Sequence, residues 1–261
     1  MSTAQKSLEG KVVLVTRPAH QSKGFIELLE KNGAQALSFP TIDIRPTQLG
    51  EALKRSLSSL NENDMLIFIS ANAVNHALQR LSQLGIKASA IKCDIAVIGG
   101  ATRKAALEAG FMVSLQPDTD FNSEGFLQLD AVQAAQIHGQ HVMIIRGVGG
   151  REALATELQK RGAVTEYAEV YQRCVPANDV QIQRQQLSHN WNSLGINTVT
   201  VTSNESLQNL YDMLQEPGRT ELLSKELIVP SQRCYKLAKS LNFSSIKLAK
   251  SATNQQMMEA I

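Results

Sequence analysis

The chain has 261 residues, a formal net charge of +2, 43% hydrophobic residues and 19% charged residues, the make-up of an ordinary globular protein long enough for two small domains. So small a charge excludes a global field that would gather nucleic acid or an acidic membrane surface, and no apolar run approaches the roughly 20 residues needed to span a bilayer. The first ten residues lack the apolar centre of a signal peptide, and Cys93, Cys174 and Cys234 are scattered and odd in number, which argues against a disulfide framework or a zinc site; the reading is a cytoplasmic protein.

Val12–Val15 is a continuous branched run, as expected of a strand buried on both faces. A turn through Arg17 follows, then Phe25, Ile26, Leu28 and Leu29 at helical spacing, with Gly33 placed to end the helix. Residues 65–69 (MLIFI) predict a second buried strand, followed by Ser70 and a helix carrying Val74, Ala77, Leu78 and Leu81. Residues 95–98 (IAVI) predict a third, followed by Gly99-Gly-Ala-Thr102 and a short helix ending near Gly110. Residues 142–145, 199–201 and 227–229 repeat the scheme. Strands alternating with helices in this way imply α/β architecture, with doubly wound parallel sheets covered on both faces.

The series is internally repetitive. Lys11-Val-Val-Leu-Val-Thr-Arg17 aligns with His141-Val-Met-Ile-Ile-Arg146, and the interval from Arg17 to Arg146 is also that from Gly33 to Gly162. Ser70 pairs with Ser203 and Gly100 with Ser231 at intervals that drift by a few residues, as loop lengths do. An ordered series favours a duplicated half over the chance likeness of βα units. Two segments break the pattern. Phe39-Pro-Thr-Ile-Asp-Ile-Arg-Pro46 and its repeat partner, residues 167–176, alternate apolar and polar residues and carry proline at their ends. Both predict extended, exposed strands that link two domains.

The turns after the buried strands hold Arg17, Ser70, Thr102, Arg146, Ser203 and Ser231. In parallel α/β sheets these turns lie at the carboxyl ends of strands, where ligands bind, and each opens a helix whose free N–H groups and positive dipole end attract anions. The plainer alternative is that the serines and threonine cap their helices. Taken as a series facing one cleft, they predict a site for an anionic small molecule. Arg146-Gly-Val-Gly-Gly-Arg-Glu152 follows a strand and opens a helix but lacks the spacing of a dinucleotide fingerprint, and no phosphate-loop motif occurs. His20, His76, His138, His141 and His189 form no recognisable ligand set, and there is no nucleophile-elbow motif. Tyr171, one of four tyrosines, falls on a linker candidate that would border the cleft; a phenol is protonated at neutral pH and can donate to a leaving oxygen. An ordinary packed tyrosine is the alternative.

Residues 13–18 (VLVTRP), 39–44 (FPTIDI), 69–74 (ISANAV), 97–102 (VIGGAT), 145–152 (IRGVGGRE) and 169–173 (EVYQR) occur in this order over nearly the whole chain. Together they resemble the uroporphyrinogen-III synthase family, the pair IRGVGGRE and VYQR being the most specific. The resemblance implies two doubly wound domains joined by a two-stranded ladder, with the duplicated halves exchanged: 1–38 plus 177–261 as one domain, 47–166 as the other, and 39–46 and 167–176 as linkers. It implies conversion of the linear tetrapyrrole hydroxymethylbilane to uroporphyrinogen III with loss of water and inversion of the last pyrrole ring, without cofactor or metal. It places Tyr171 at the position proposed to assist loss of the hydroxyl, Thr102 at a cleft threonine, and Ser70, Ser203 and Ser231 in binding turns; Ile69-Ser70-Ala71 and Val229-Pro-Ser231 depart from the commoner pattern. It implies a cytoplasmic monomer in transient contact with hydroxymethylbilane synthase, with no nucleic-acid or membrane partner. The rival readings are a cytosolic two-lobed sensor of anionic ligands without catalysis and a nucleotide-dependent oxidoreductase.

Overall fold

A computed structural model describes residues 8–150, 152–176, 187 and 190–261. The readings made of residues 1–7, Arg151, 177–186 and His189 lie outside the described residues. In chain order the regular elements are β1 (Val12–Val15), α1 (Ala19–Lys31), β2 (Gln35–Ser38), β3 (Asp43–Pro46), α2 (Glu51–Ser58), β4 (Met65–Phe68), α3 (Ala71–Gln83), β5 (Asp94–Val97), α4 (Gly100–Glu108), α5 (Ser123–Phe126), α6 (Ala134–Ile137), β6 (His141–Gly147), α7 (Ala153–Lys160), β7 (Val164–Cys174), β8 (Thr198–Thr200), α8 (Asn204–Met213), α9 (Gly218–Ser224), β9 (Glu226–Val229), α10 (Gln232–Ser240), β10 (Ser245–Leu248) and α11 (Asn254–Glu259).

The chain divides into two compact units, Met1–Asp43 with Cys174–Ile261, and Ile44–Arg173. Two five-stranded sheets carry them, ordered β10-β9-β8-β1-β2 and β3-β7-β6-β4-β5. β1 pairs in parallel with β2 and β8, β9 with β8 and β10, and β6 with β4 and β7, β4 with β5. The architecture is therefore α/β with parallel sheets, as the alternation predicts. No helix among the described residues is long and apolar enough to cross a membrane.

The continuous apolar runs have a simple cause. Side chains alternate across a strand, and each sheet separates two cores. In the first unit Val13 and Val15 of β1 enter a core with Phe25, Leu29 and Met257, while Leu14 enters the opposite one with Val199, Leu207 and Leu227. The chain's one tryptophan, Trp191, is buried in that second core, only 2% exposed. In the second unit Leu66 and Phe68 of β4 face one core and Met65 and Ile67 the other. Both faces favour apolar residues, and β1 and β4 carry no polar one.

In place of an exposed ribbon over 39–46, only Asp43–Pro46 is a strand, and Phe39, Thr41 and Ile42 are buried. The backbone N–H of Phe39 donates to Val15 and that of Thr41 to Thr16, so the segment continues alongside the end of β1 before leaving it. β7 runs unbroken from Val164 to Cys174 and keeps register with β6 as far as Ala168 against Ile145 and Glu169 against Arg146. The register then shifts, and Gly147 faces Tyr171. A shift of this kind puts an extra residue on one strand and disturbs its alternation, so Val170 and Tyr171 are both buried.

Candidate functional site

In the unit Ile44–Arg173 the strand order reverses between β4 and β6, the place where open α/β sheets bind ligands outside their carboxyl ends. Tyr171 stands there. Its ring is 3% exposed and stacks on the imidazole of His76 with centroids 5.6 Å apart and planes at 26°. On another side lies Gly147. A Cβ at that position would fall 2.6 Å from the ring atoms Cε2 and Cζ, closer than any side chain tolerates, so the phenol fits only because residue 147 is glycine. The Val148 N–H donates to the Tyr171 carbonyl at 2.8 Å, tying the glycine turn to β7. Gly149, at φ +71°, completes the turn in the left-handed region that glycine enters without strain.

The Tyr171 hydroxyl lies 3.2 Å from Oγ of Ser70. Ser70 is the N-cap of α3, accepting from the Ala73 N–H at 3.1 Å. The base of the site is stapled by Thr47. Its Oγ1 donates to the Glu169 carbonyl at 2.7 Å and its N–H to that of Val170 at 3.2 Å. Its own carbonyl accepts from Arg80 of α3.

Arg146 is 5% exposed. Its Nε and Nη2 both donate to Oε1 of Glu169, at 3.1 and 3.0 Å, and its guanidinium lies 3.8 Å from the centre of the Tyr167 ring. A cavity of about 470 Å³ opens here, lined among others by Arg146, the glycine turn, Tyr167, Tyr171 and Arg173. Thr102 is buried on α4 and does not line it. Of the four expected site residues in this unit, Ser70, Arg146 and Tyr171 thus come together at one end of the sheet.

The other three belong to the unit Met1–Asp43 with Cys174–Ile261. Ser203 caps α8 through the Ser206 N–H at 3.0 Å and Ser231 caps α10 through that of Cys234 at 3.3 Å. Arg17 donates to Oδ1 of Asn254 at 2.6 Å and to the Ala252 carbonyl at 3.0 Å, over the face of Phe25; burial pushes its pKa below the ordinary arginine value. At the switch point of this sheet, between β1 and β8, sits a buried hydroxyl cluster. Thr16 Oγ1 is 2.8 Å from Ser206 Oγ and donates to the Thr200 carbonyl at 2.8 Å, and Thr41 Oγ1 is 2.9 Å from Ser206 Oγ.

Capping, weighed above as the plainer role, is therefore what all three serines do. His76, Gly147 and the Thr16–Thr41–Ser206 cluster escaped the sequence reading. Gly147 carried a signal, its place in a glycine-rich turn, but its contact with Tyr171 depends on a register shift that composition does not encode.

Residues 23–259 match the family model described as uroporphyrinogen-III synthase HemD. The chain is 33% identical over 250 residues to the uroporphyrinogen-III synthase of Escherichia coli strain K12, covering 95% of this chain and 99% of that one. It is 29% identical over 215 residues to the uroporphyrinogen-III synthase of Synechococcus elongatus, covering 81% and 77%. The crystal structure of uroporphyrinogen-III synthetase from Helicobacter pylori 26695 superposes with a TM-score of 0.61 at 16% identity, over 95% of this chain and 96% of that one, a likeness of fold.

Proposed function

The chain belongs to the uroporphyrinogen-III synthase family, and from that premise we propose that it closes hydroxymethylbilane to uroporphyrinogen III with Tyr171 as the proton donor. The enzyme class is a lyase and the substrate a tetrapyrrole. One observation carries the role of Tyr171: a phenol held rigidly between Gly147 and His76, beside a cavity at the carboxyl ends of parallel strands. In the first step the phenol proton passes to the terminal hydroxyl of the substrate, the carbon–oxygen bond breaks, and water leaves. The resulting azafulvene cation is attacked by the substituted carbon of the last pyrrole to give a spiro intermediate, which reopens and recloses with that ring inverted. The ring proton released at closure can restore the phenol. Closure without guidance gives the uninverted isomer, so holding the bent chain is the central task.

The substrate carries carboxylates on every ring. Helix N-termini such as those capped by Ser70, Ser203 and Ser231, with the turn near Thr102, suit them through backbone N–H groups. Arg17 and Arg146, expected as direct anion ligands, have protein partners of their own, which supports a role in shaping their turns. The matching surroundings of β1 and β6 support descent from a duplicated half. Each stands between the next strand in the chain (β2 or β7) and the serine-capped strand (β8 or β4), with β9 or β5 beyond. A cytoplasmic monomer, a two-stranded linker and transient contact with hydroxymethylbilane synthase complete the proposal.

Incubation with fresh hydroxymethylbilane and separation of the isomers tests it. Wild-type protein should give isomer III; Tyr171→Phe should turn over roughly 10²–10⁴-fold more slowly, with product affinity little changed and isomer III still the product. A sensor would bind the tetrapyrrole and leave the isomer ratio at its spontaneous value. Wild-type turnover in Tyr171→Phe would reduce Tyr171 to a packing residue.

A further inference from the structure

Resting on the reading of Tyr171 as the proton donor, we infer that Ser70 is the positioning residue that aims it: the Ser70 hydroxyl donates to the phenol oxygen and leaves the phenol proton directed at the departing hydroxyl. Ser70 Oγ has two polar neighbours, the Ala73 N–H at 3.1 Å and the Tyr171 hydroxyl at 3.2 Å. An N–H only donates, so the serine oxygen is the acceptor in the first contact. It has one proton of its own to give.

The direction of the second contact follows from the helix. Ser70 sits at the positive end of the 13-residue α3, whose field turns oxygen lone pairs towards the free N–H groups and the hydroxyl proton away from them. Away from the helix, the polar neighbour is Tyr171. The reverse arrangement would make the serine oxygen accept twice and leave its proton to solvent, since Ser70 is half-buried and its hydroxyl makes no other hydrogen bond among the described residues. A phenol O–H lies in the plane of its ring, so it has two settings. With Gly147 against the ring and His76 stacked on it, the ring plane is fixed. With Ser70 donating to the phenol oxygen across 3.2 Å, the phenol proton takes the setting that points away from Ser70. Among the described residues Ser203 and Ser231 cap their helices in the same way but make no hydrogen bond to a phenol, so this second duty belongs to Ser70.

The test compares single-turnover rates and product affinity in the full chain for Ser70→Ala, Ser70→Gly, Ser70→Thr, Tyr171→Phe and the double variant Ser70→Ala/Tyr171→Phe. Removal of the hydroxyl should slow turnover about three- to tenfold, the range of one neutral hydrogen bond, and leave product affinity within about twofold. Glycine is nearly as good an N-cap as serine, so Ser70→Gly decides the matter if Ser70→Ala folds poorly. Threonine restores both the cap and the donor and should recover turnover to within about twofold. In the Tyr171→Phe background, Ser70→Ala should cost nothing further. Wild-type rates in Ser70→Ala and Ser70→Gly, failure of a folded Ser70→Thr to recover, or full additivity with Tyr171→Phe would each overturn the inference while leaving Tyr171 as the donor. A fast Tyr171→Phe enzyme would remove both readings together.

Discussion

The turn after β1 and the turn after β6 begin alike and end differently. Each opens with an arginine whose guanidinium is spent on its own unit, lying against an aromatic face. Arg17 is answered by neutral groups, the Asn254 amide and the Ala252 carbonyl, and Pro18 leads at once into α1. Arg146 is answered by the carboxylate of Glu169, and three glycines stand around Val148 in the turn that follows. The first turn is closed by its own helix; the second admits a phenol against its backbone. Two turns that open alike can thus differ in use, with the proposed proton donor set where glycine leaves room beside the backbone.

Filling the glycine turn should break that difference most. Gly147→Ala places a methyl 2.6 Å from the Tyr171 ring, so the ring must swing off His76 and Ser70. Turnover should fall at least as far as in Tyr171→Phe, roughly 10²-fold or more, with a lowered melting temperature. A fully active Gly147→Ala enzyme would show that the ring has another productive seat.

The arginines should differ by less. Arg146→Ala leaves Glu169 without its cation and a void under the loop. With Glu169 about a third exposed, the cost should be about 2–3 kcal/mol, below that of a fully buried pair. Arg17→Ala forfeits two hydrogen bonds to neutral groups and should cost about 1–2 kcal/mol. Denaturant titration of both variants measures the gap, and equal costs would mean that the carboxylate adds nothing.

Smaller still are the caps. Ser70→Ala and Ser203→Ala each remove an N-cap oxygen and should each cost about 1 kcal/mol of stability, whatever they do to turnover. A large disparity in melting temperature would show that one helix end has support beyond its serine.

The smallest effect concerns acid. Burial alone would push the Glu226 carboxyl up, but the hydrogen bonds and charges of Lys11 and Lys247 outweigh it and hold it below the usual carboxylate value. A carboxyl depressed on folding contributes stability above its unfolded value, near pH 4.5, and that contribution is lost as pH falls through the folded value. Glu226→Gln should therefore flatten the stability profile of this unit below about pH 4.5 and lower stability slightly at neutral pH. An unchanged acid limb would assign the dependence to other carboxylates.

Much of this was legible because the physics was local. Residues 12–15 and 65–69 read as doubly buried strands because Val13 and Leu14, or Leu66 and Ile67, must satisfy two cores at once. Ser70, Ser203 and Ser231 read as helix starts because a cap needs an oxygen three residues ahead of an N–H. What stayed hidden depended on distant pairings. The partner of Arg17 is Asn254, 237 residues away, and no local pattern announces it. His76 read as one histidine among five until α3 turned it onto Tyr171. The consecutive burial of Val170 and Tyr171 defies alternation, and only the register against β6 explains it.

The placement of Trp191 has a practical consequence. As the chain's one indole, buried in the core of the unit formed by Met1–Asp43 and Cys174–Ile261, it makes intrinsic emission excited at the red edge a reporter of that unit alone. Far-ultraviolet dichroism sums over both units. Two-state unfolding requires such probes to trace one curve. If the emission transition precedes or follows the dichroism midpoint, the units melt independently, and each variant above can be assigned to the unit it weakens without a label or a truncation.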